Sequence, residues 1–260
     1  MRIATWNING ARARVDQLKT WLQQASPDVV CLQEIKATND SFPAADIEAL
    51  GYNLAVHGEK GFNGVALLSK TPLNDVLREL PGDGADVQAR YIEGTVTSGA
   101  RAVRVASIYL PNGNPVDTLK FPYKLAWMAR LEAHARALLA DEMPVVLGGD
   151  YNVIPEPRDA KSPENWTGDA LFQPESRQAY RRLLHLGYTD ALRACHAEAG
   201  LYTFWDYQAG AWNKNNGIRI DHVLLSPQAA DRLRSVDIDK HVRSWDKPSD
   251  HVPVIVDLDI

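Results

Sequence analysis

Short apolar or alternating runs, punctuated by turn residues, recur along the chain. RIATWN (2–7), PDVVCLQE (27–34), YNLAVHG (52–58) and GVALLS (64–69) carry strand patterns between Gly, Pro or Asn flanks. QARYIEGTV and RAVRVASIYL flank TSGA (97–100), which predicts a hairpin. PVVLGGD (144–150), IRIDHVLLS (218–226), SVDID (235–239) and VPVIVDL (252–258) predict later strands. Helical periodicity marks ARVDQLKTWLQQA (13–25) and the long KFPYKLAWMARLEAHARALLADE (120–142). In the latter Leu125, Met128, Leu131, Ala135, Leu138 and Leu139 fall on one stripe. Further helices fit 175–186, 188–199 and 227–234. Roughly ten strands, joined by hairpins in some places and by helices in others, predict an α/β architecture of mixed sheets covered by helices.

At 260 residues and 45% hydrophobic content the chain can bury a large core. No linker, repeat or low-complexity tract divides it, so one domain spanning 1–260 is expected. The N-terminal MRIATWNING has no apolar stretch of signal-peptide length, and no run approaches the roughly 18 residues of a membrane span. A soluble, cytoplasmic protein is expected. Cys31 lies inside the apolar run VVCL, and with Cys195 it forms no metal-binding spacing. The net charge of −5 speaks against a diffuse basic surface for nucleic acid, although a local basic groove is compatible with it.

Polar residues gather at the strand ends. Asn7 and Asn9 stand at the end of the first strand, Glu34 closes VVCLQE, Tyr109 ends ASIY, and Asn112 lies just beyond it. VVLGGDYN supplies Asp150 and Asn152, RIDHVLL supplies Asp221, and SDHVPV brings Asp250 and His251. If these ends share a rim, several carboxylates come together, and their repulsion either raises pKa values or recruits a divalent ion. Oxygen donors without cysteine pairs favour Mg2+ or Mn2+ over zinc. Singly, each residue has a plain explanation: Asp150 as a helix cap, Asn152 as a turn residue, Glu34 as a surface strand end, Lys36 as a solvated charge. Asp250 next to His251 is no serine-hydrolase signature, because no GxSxG is present. His222 follows Asp221 and, in a regular strand, points to the opposite face.

In this order, TWNING, LQEIKA, IYLPNGN, GGDYNV, YTFWDYQAGAWNKNNGIRIDHVLLS and SDHVPV resemble the exonuclease III branch of the metal-dependent endonuclease, exonuclease and phosphatase superfamily. The resemblance covers nearly the whole chain and implies a four-layered α/β sandwich with two mixed sheets face to face. It implies metal binding by Glu34, with Asn7 nearby and Asp250 as a further ligand; Asp150, Asn152 and His251 belong to the same metal-binding set. It gives Asp150 the part of orienting or deprotonating the attacking water, and Asn152 that of positioning the water or the phosphate. His251, with Asp221 as its acid partner, would hold the scissile phosphate or act as the alternative base. Tyr109 and Asn112 would contact that phosphate or stabilise the leaving oxygen. Phe204, Ile218 and Ile220 match an apolar pocket for a flipped abasic sugar, which excludes a normal nucleotide by size.

The aromatic segment beginning at Tyr202 contains Trp212 in a Gly- and Asn-rich loop, where it is poorly placed to be core. Arg90, Lys120 and Lys214 could add phosphate contacts. The expected function is therefore a metal-dependent DNA-repair phosphodiesterase acting as a monomer on double-stranded DNA. It would cut 5′ to abasic sites, degrade DNA from the 3′ end and trim blocked 3′ ends. Two alternatives stand beside it: a sister-branch enzyme for lipid or inositol phosphates, and a non-catalytic DNA-binding domain. The aromatic loop disfavours the first, and the completeness of the polar set disfavours the second.

Overall fold

The structure, a computed structural model, describes residues 1–99 and 101–260. Two six-stranded mixed sheets pack face to face. In the first, the strands are β1 (Arg2–Asn7), β2 (Val29–Gln33), β3 (Asn53–His57), β4 (Val65–Ser69), β11 (Leu233–Ile238) and β12 (Val254–Leu258), in the order β11-β12-β1-β2-β4-β3. In the second they are β5 (Asn74–Arg78), β6 (Tyr91–Ser98), β7 (Arg101–Tyr109), β8 (Val145–Asp150), β9 (Thr189–Asp190) and β10 (Asp221–Leu225), in the order β5-β6-β7-β8-β10-β9. Helices α1 (Val15–Ala25) and α2 (Ala44–Glu48) belong with the first sheet. Helices α3 (Lys120–Leu139) and α4 (Pro174–His185) cover the second, with short α5 (Ala191–Cys195) and α6 (Pro227–Ala230) at its margin. This is the four-layered sandwich that the resemblance implies.

Strand parity builds the layers. Ile3 joins the core between the sheets, while Ala4 and Trp6 face the outer layer with Leu18 and Trp21 of α1. In β8, Val146 faces inward and Val145 and Leu147 face α3. With both faces covered, the central strands are apolar at nearly every position, which is why they read as continuous hydrophobic runs. A thin polar seam crosses the inner layer where Gln33 Nε2 donates to Thr5 Oγ1 (3.0 Å) and Ser107 Oγ (2.9 Å). Every buried polar group in the seam has a partner, so the sheets stay locked in register at little net cost.

Several sequence-based boundaries move. The turn read in TSGA includes residue 100, outside the described residues, but the flanking β6–β7 hairpin is present. The pattern did not mark β5, an edge strand whose pairing with β6 shifts register between Asn74 and Leu77 and so breaks the alternation. The helix expected over 188–199 shrinks to α5, because Thr189 and Asp190 pair with β10 and the Asp190 side chain caps the helix at Arg193 N. The helix expected over 227–234 ends at Ala230 and gives way to β11. Among the described residues, no helix is long and apolar enough to cross a membrane.

Beneath β8 and β10 lies a buried ionic knot. Arg219 Nε and Nη1 bond Asp159 Oδ1 (2.7 Å) and Asp190 Oδ2 (2.9 Å), and Arg193 Nη2 adds a bond to Asp159. His222 points away from Asp221, as alternation requires, into this knot. Its Nε2–H donates to the Val153 carbonyl (2.9 Å) and its bare Nδ1 accepts from Arg219 Nη1 (3.0 Å), so the site needs the neutral ring. Burial and the Arg219 charge pull its pKa down from 6.5 to about 4. Because the unfolded chain takes up this proton first, the stabilisation is complete above about pH 6.5 and is lost as pH falls toward 4. That step is worth about 3 kcal/mol. Urea melts between pH 7 and 4 should show it for the native chain and not for His222→Asn; an equal acid loss in both would exclude His222 as its source.

Candidate active site

The register of the second sheet sets three of the polar residues in a row. Asp150 pairs with Tyr109 across β7–β8 and with Asp221 across β8–β10. All three occupy the inward-facing parity of their strands, as does Asn7 of β1 in the opposite sheet. The inner layer therefore closes at this end with carboxylates, an amide and a phenol instead of aliphatic residues. Gly149 makes the strand end possible, since a Cβ there would lie 2.0 Å from the Ile108 carbonyl oxygen of the neighbouring strand.

The two halves of the site meet at Asp150. Asn7 Nδ2 donates to Glu34 Oε2 (3.0 Å) and Asp150 Oδ2 (2.9 Å), tying the first sheet to the second. On the other side His251 Nε2 lies 3.8 Å from Asp150 Oδ2, and its Nδ1 donates to Asp221 Oδ2 at 2.9 Å. Asp150, Asp221 and His251 are all buried. Burial pushes the Asp150 carboxyl well above the usual range, reinforced by Asp221 and opposed by the His251 charge and the Asn7 amide. Burial alone would lower His251, but Asp221 and Asp150 overcome it and hold the ring protonated. The Tyr109 phenol is raised by burial and by the charges of Glu34 and Asp150, so it stays a proton donor.

Several supports were not singled out in the sequence. Thr203 Oγ1 donates to Asp221 Oδ2 (2.6 Å) and accepts from the Asp221 backbone N–H (3.1 Å). Ser249 Oγ donates to the Asn7 carbonyl (2.7 Å). Lys36, read as a solvated charge, is exposed and also paired: its Nζ sits 2.8 Å from Glu34 Oε1 and 2.6 Å from Asn9 Oδ1. Lys124, fully buried in α3, donates to the carbonyls of Asn112 (3.0 Å) and Asn152 (2.5 Å). Only the adjacency of Thr203 and Ser249 to the motifs YTF and SDH could have flagged them.

Other expected site residues are distributed less uniformly. Asn152, at φ +47°, accepts from Asn112 Nδ2 (3.1 Å) and gives its own Nδ2 to the Leu110 carbonyl. Asn7 turns its nitrogen to the carboxylates, tying Glu34 to Asp150, and its oxygen accepts from Asn9 N–H (3.0 Å). Asp250 faces outward, where Oδ1 accepts from Asn9 Nδ2 (2.9 Å), and it stands outside the Asp150–Asp221–His251 group. Ile218 and Ile220 are buried in a small apolar cluster against which half-exposed Phe204 packs, and the Phe204 ring lies 4.9 Å from that of His251. Trp212 is partly core after all, packed edge-on against buried Trp205 at 5.0 Å. Arg90 stacks over Tyr109, and with Lys120 it lines a cleft of about 350 Å3 beside Asn112. Lys214 is exposed on the 206–216 loop.

The donor chemistry suits a hard divalent cation. Carboxylate oxygens of Glu34 and Asp150 are tied through one amide, and Asp150, Asp221 and His251 each offer one ligand atom within 4.8 Å of the others, a donor set without cysteine.

Fold and site together define a hydrolytic nuclease, and the comparisons with known proteins agree. Residues 4–251 match the Endonuclease/Exonuclease/phosphatase family. Exodeoxyribonuclease III of Haemophilus influenzae is 35% identical over 262 residues, covering 98% of each chain. A 3′ phosphatase from Neisseria, solved bound to a product DNA hairpin, superposes with a TM-score of 0.96 at 38% identity over the full length of both chains. An AP endonuclease from Archaeoglobus fulgidus does so with a TM-score of 0.95 at 36% identity, again over both full lengths. The chain belongs to the endonuclease/exonuclease/phosphatase family, in its exonuclease III branch.

Proposed function

We propose that the protein is a DNA-repair phosphodiesterase that hydrolyses the backbone 5′ to abasic sites and degrades or trims 3′ ends of duplex DNA, using Mg2+ or Mn2+. One observation carries the mechanism: a buried carboxylate, Asp150, bridged through Asn7 to Glu34 on one side and facing the His251–Asp221 pair on the other.

Glu34 and Asp150, with the Asn152 amide oxygen, would hold the ion. When bound, the cation neutralises phosphoryl charge, makes water a better nucleophile and stabilises the departing alkoxide. Asp150, whose burial makes it a stronger base than an exposed carboxylate, orients the water and accepts its proton. Protonated His251, steadied by Asp221, pairs with a non-bridging phosphate oxygen. Asn112 and Tyr109 donate to phosphate or to the leaving oxygen, and the phenol's raised pKa keeps its proton in place. Water oxygen bonds to phosphorus, the P–O3′ bond breaks, and the leaving oxygen takes a proton, giving a 3′ hydroxyl and a 5′ phosphate.

The DNA-bound Neisseria relative supports duplex DNA as substrate. So does the local basic cleft of Arg90 and Lys120 on an otherwise acidic chain. An abasic sugar is the group that fits beside the Phe204 edge, because unstacking costs least at a damaged site. We take it to act as a monomer and place it in the cytoplasm with its substrate.

A duplex oligonucleotide carrying one tetrahydrofuran abasic analogue tests the proposal. With Mg2+ it should be cut 5′ to the analogue, a recessed 3′ phosphate should be released, and EDTA should abolish both. Cleavage of inositol phosphates with intact duplex left behind, or DNA binding without cleavage, would overturn it.

A further inference from the structure

Lys124 is placed where an apolar side chain would be expected. It sits on the α3 face that also buries Trp127, Met128 and Leu131, and it is fully enclosed. Among the described residues it forms no ion pair; its Nζ bonds are to two backbone carbonyls, of Asn112 and Asn152. The nearest helpful carboxylates, Asp150 and Asp169, act on it only from beyond ion-pair distance. Burying an ammonium without a contacting carboxylate is costly, and a methionine would fill the same space without that cost.

The two carbonyls belong to the two loops that leave β7 and β8, and to the two asparagines whose side chains bond each other at the phosphate end of the site. Each loop has its own internal anchors. Asn114 Nδ2 donates to Asn112 Oδ1 (2.9 Å) and to Asp169 Oδ1 (3.0 Å), while Asn152 N–H donates to Asp150 Oδ1 (2.9 Å) and its Nδ2 to the Leu110 carbonyl (2.9 Å). Lys124 adds a direct main-chain bond to both loops and carries them on a twenty-residue helix. The loops are shaped to it. Asn152 adopts φ +47°, and Gly113, at φ +90°, leaves only 2.6 Å between a would-be Cβ and the Lys124 Cδ.

From this geometry we infer that Lys124 is a positioning residue for phosphodiester hydrolysis, fixing the spacing of Asn112 and Asn152 and through Asn152 the orientation of Asp150. The inference rests on the proposed function. Lys124 reaches neither substrate nor solvent, so its loss leaves the DNA groove intact and misplaces the groups that act on the phosphate.

The test is steady-state kinetics of Lys124→Met on the abasic duplex, with rates scaled to the folded fraction by circular dichroism. The kcat should fall by about 10- to 100-fold, the penalty for sub-ångström to ångström misplacement, with KM changed less than about threefold. Leu131→Ala, buried on the same helix, should lower Tm and leave kcat intact, which separates positioning from mere stability. Lys124→Gln, which keeps a donor, should recover part of the loss, and it supplies the same measurement if the methionine variant does not fold. A kcat within threefold of the parent, or equal losses in Lys124 and Leu131 variants, overturns the inference. An inactive parent chain would instead overturn the function on which it rests.

Discussion

Asp150→Asn should reduce kcat on the abasic duplex by between about 10² and 10⁴-fold while leaving the protein as stable as before, or more so. The rate loss follows from the role: a positioned base contributes about that much, and an amide of the same shape cannot take a proton. The stability gain follows from the burial. Asp150 is held out of water near Asp221, and both features penalise its charge. An amide removes that penalty and leaves His251 its bond to Asp221; its single oxygen keeps either the Asn7 Nδ2 or the Asn152 N–H bond and forfeits the other, which offsets part of the gain. Binding of the DNA should change far less than turnover, because Arg90, Lys120 and the 206–216 loop are untouched. In the native enzyme the acid limb of activity should lie above the ordinary carboxylate range, since Asp150 must lose its proton to act. A variant with kcat within tenfold of native, or one whose lost activity tracks a lowered Tm, would remove Asp150 from the chemistry.

The strand ends were legible because parity is written into the sequence. VVLGGD alternates in a way that puts Val146 and Asp150 on one face, and the same count puts Tyr109, Asp221 and Asn7 on the corresponding inward faces. A buried polar residue at the last inward position of an apolar strand has to be explained, and that was enough to gather most of the cluster. The failures were of another kind. The chain does not show which way an amide turns: Asn7 gives its nitrogen to the Glu34 and Asp150 carboxylates and its oxygen to the Asn9 N–H. Asp250 and His251 are adjacent, yet only the histidine turns inward; Asn9 and Ser249 draw the aspartate away. Trp212, set among glycine and asparagine, looked free, but loop composition is local and its packing on Trp205 is not. Lys124 was invisible for the opposite reason. One charge on an otherwise apolar stripe reads as a solvated edge unless the facing carbonyls are known.

The knot under the site joins stability to this geometry. Arg219 precedes Asp221 by two residues, and its N–H donates to the Asp159 carbonyl (2.8 Å). The same residue thus clamps the segment leaving β8, at Asp159, against the segment entering β10, and Asp150 and Asp221 are the strand-end residues from which the two segments run. Its ion pairs hold two paths together at the point where two catalytic acids must face each other.

Arg219→Met should therefore be severely destabilising, by about 3 to 5 kcal/mol, because removing the cation strands two buried carboxylates. Burial alone would raise the pKa of Asp159 and Asp190; in the native chain Arg219 reverses this and holds both below their ordinary value. Asp159 would keep Arg193, but Asp190 would keep only the Tyr180 hydroxyl and the Arg193 backbone N–H. Since both native pKa values are lowered, the stabilisation is present above the usual carboxylate range and lost as the pH falls through it, so the gap between native and variant should narrow in acid. Arg219→Lys separates charge from shape. A lysine restores one positive charge but cannot span Asp159 on one edge and Asp190 on the other, as the guanidinium does. In urea melts at pH 7 it should recover only part of the loss. Full recovery by lysine would mean that charge alone holds the knot, and a methionine variant within about 1 kcal/mol of native would mean that the carboxylates find other partners.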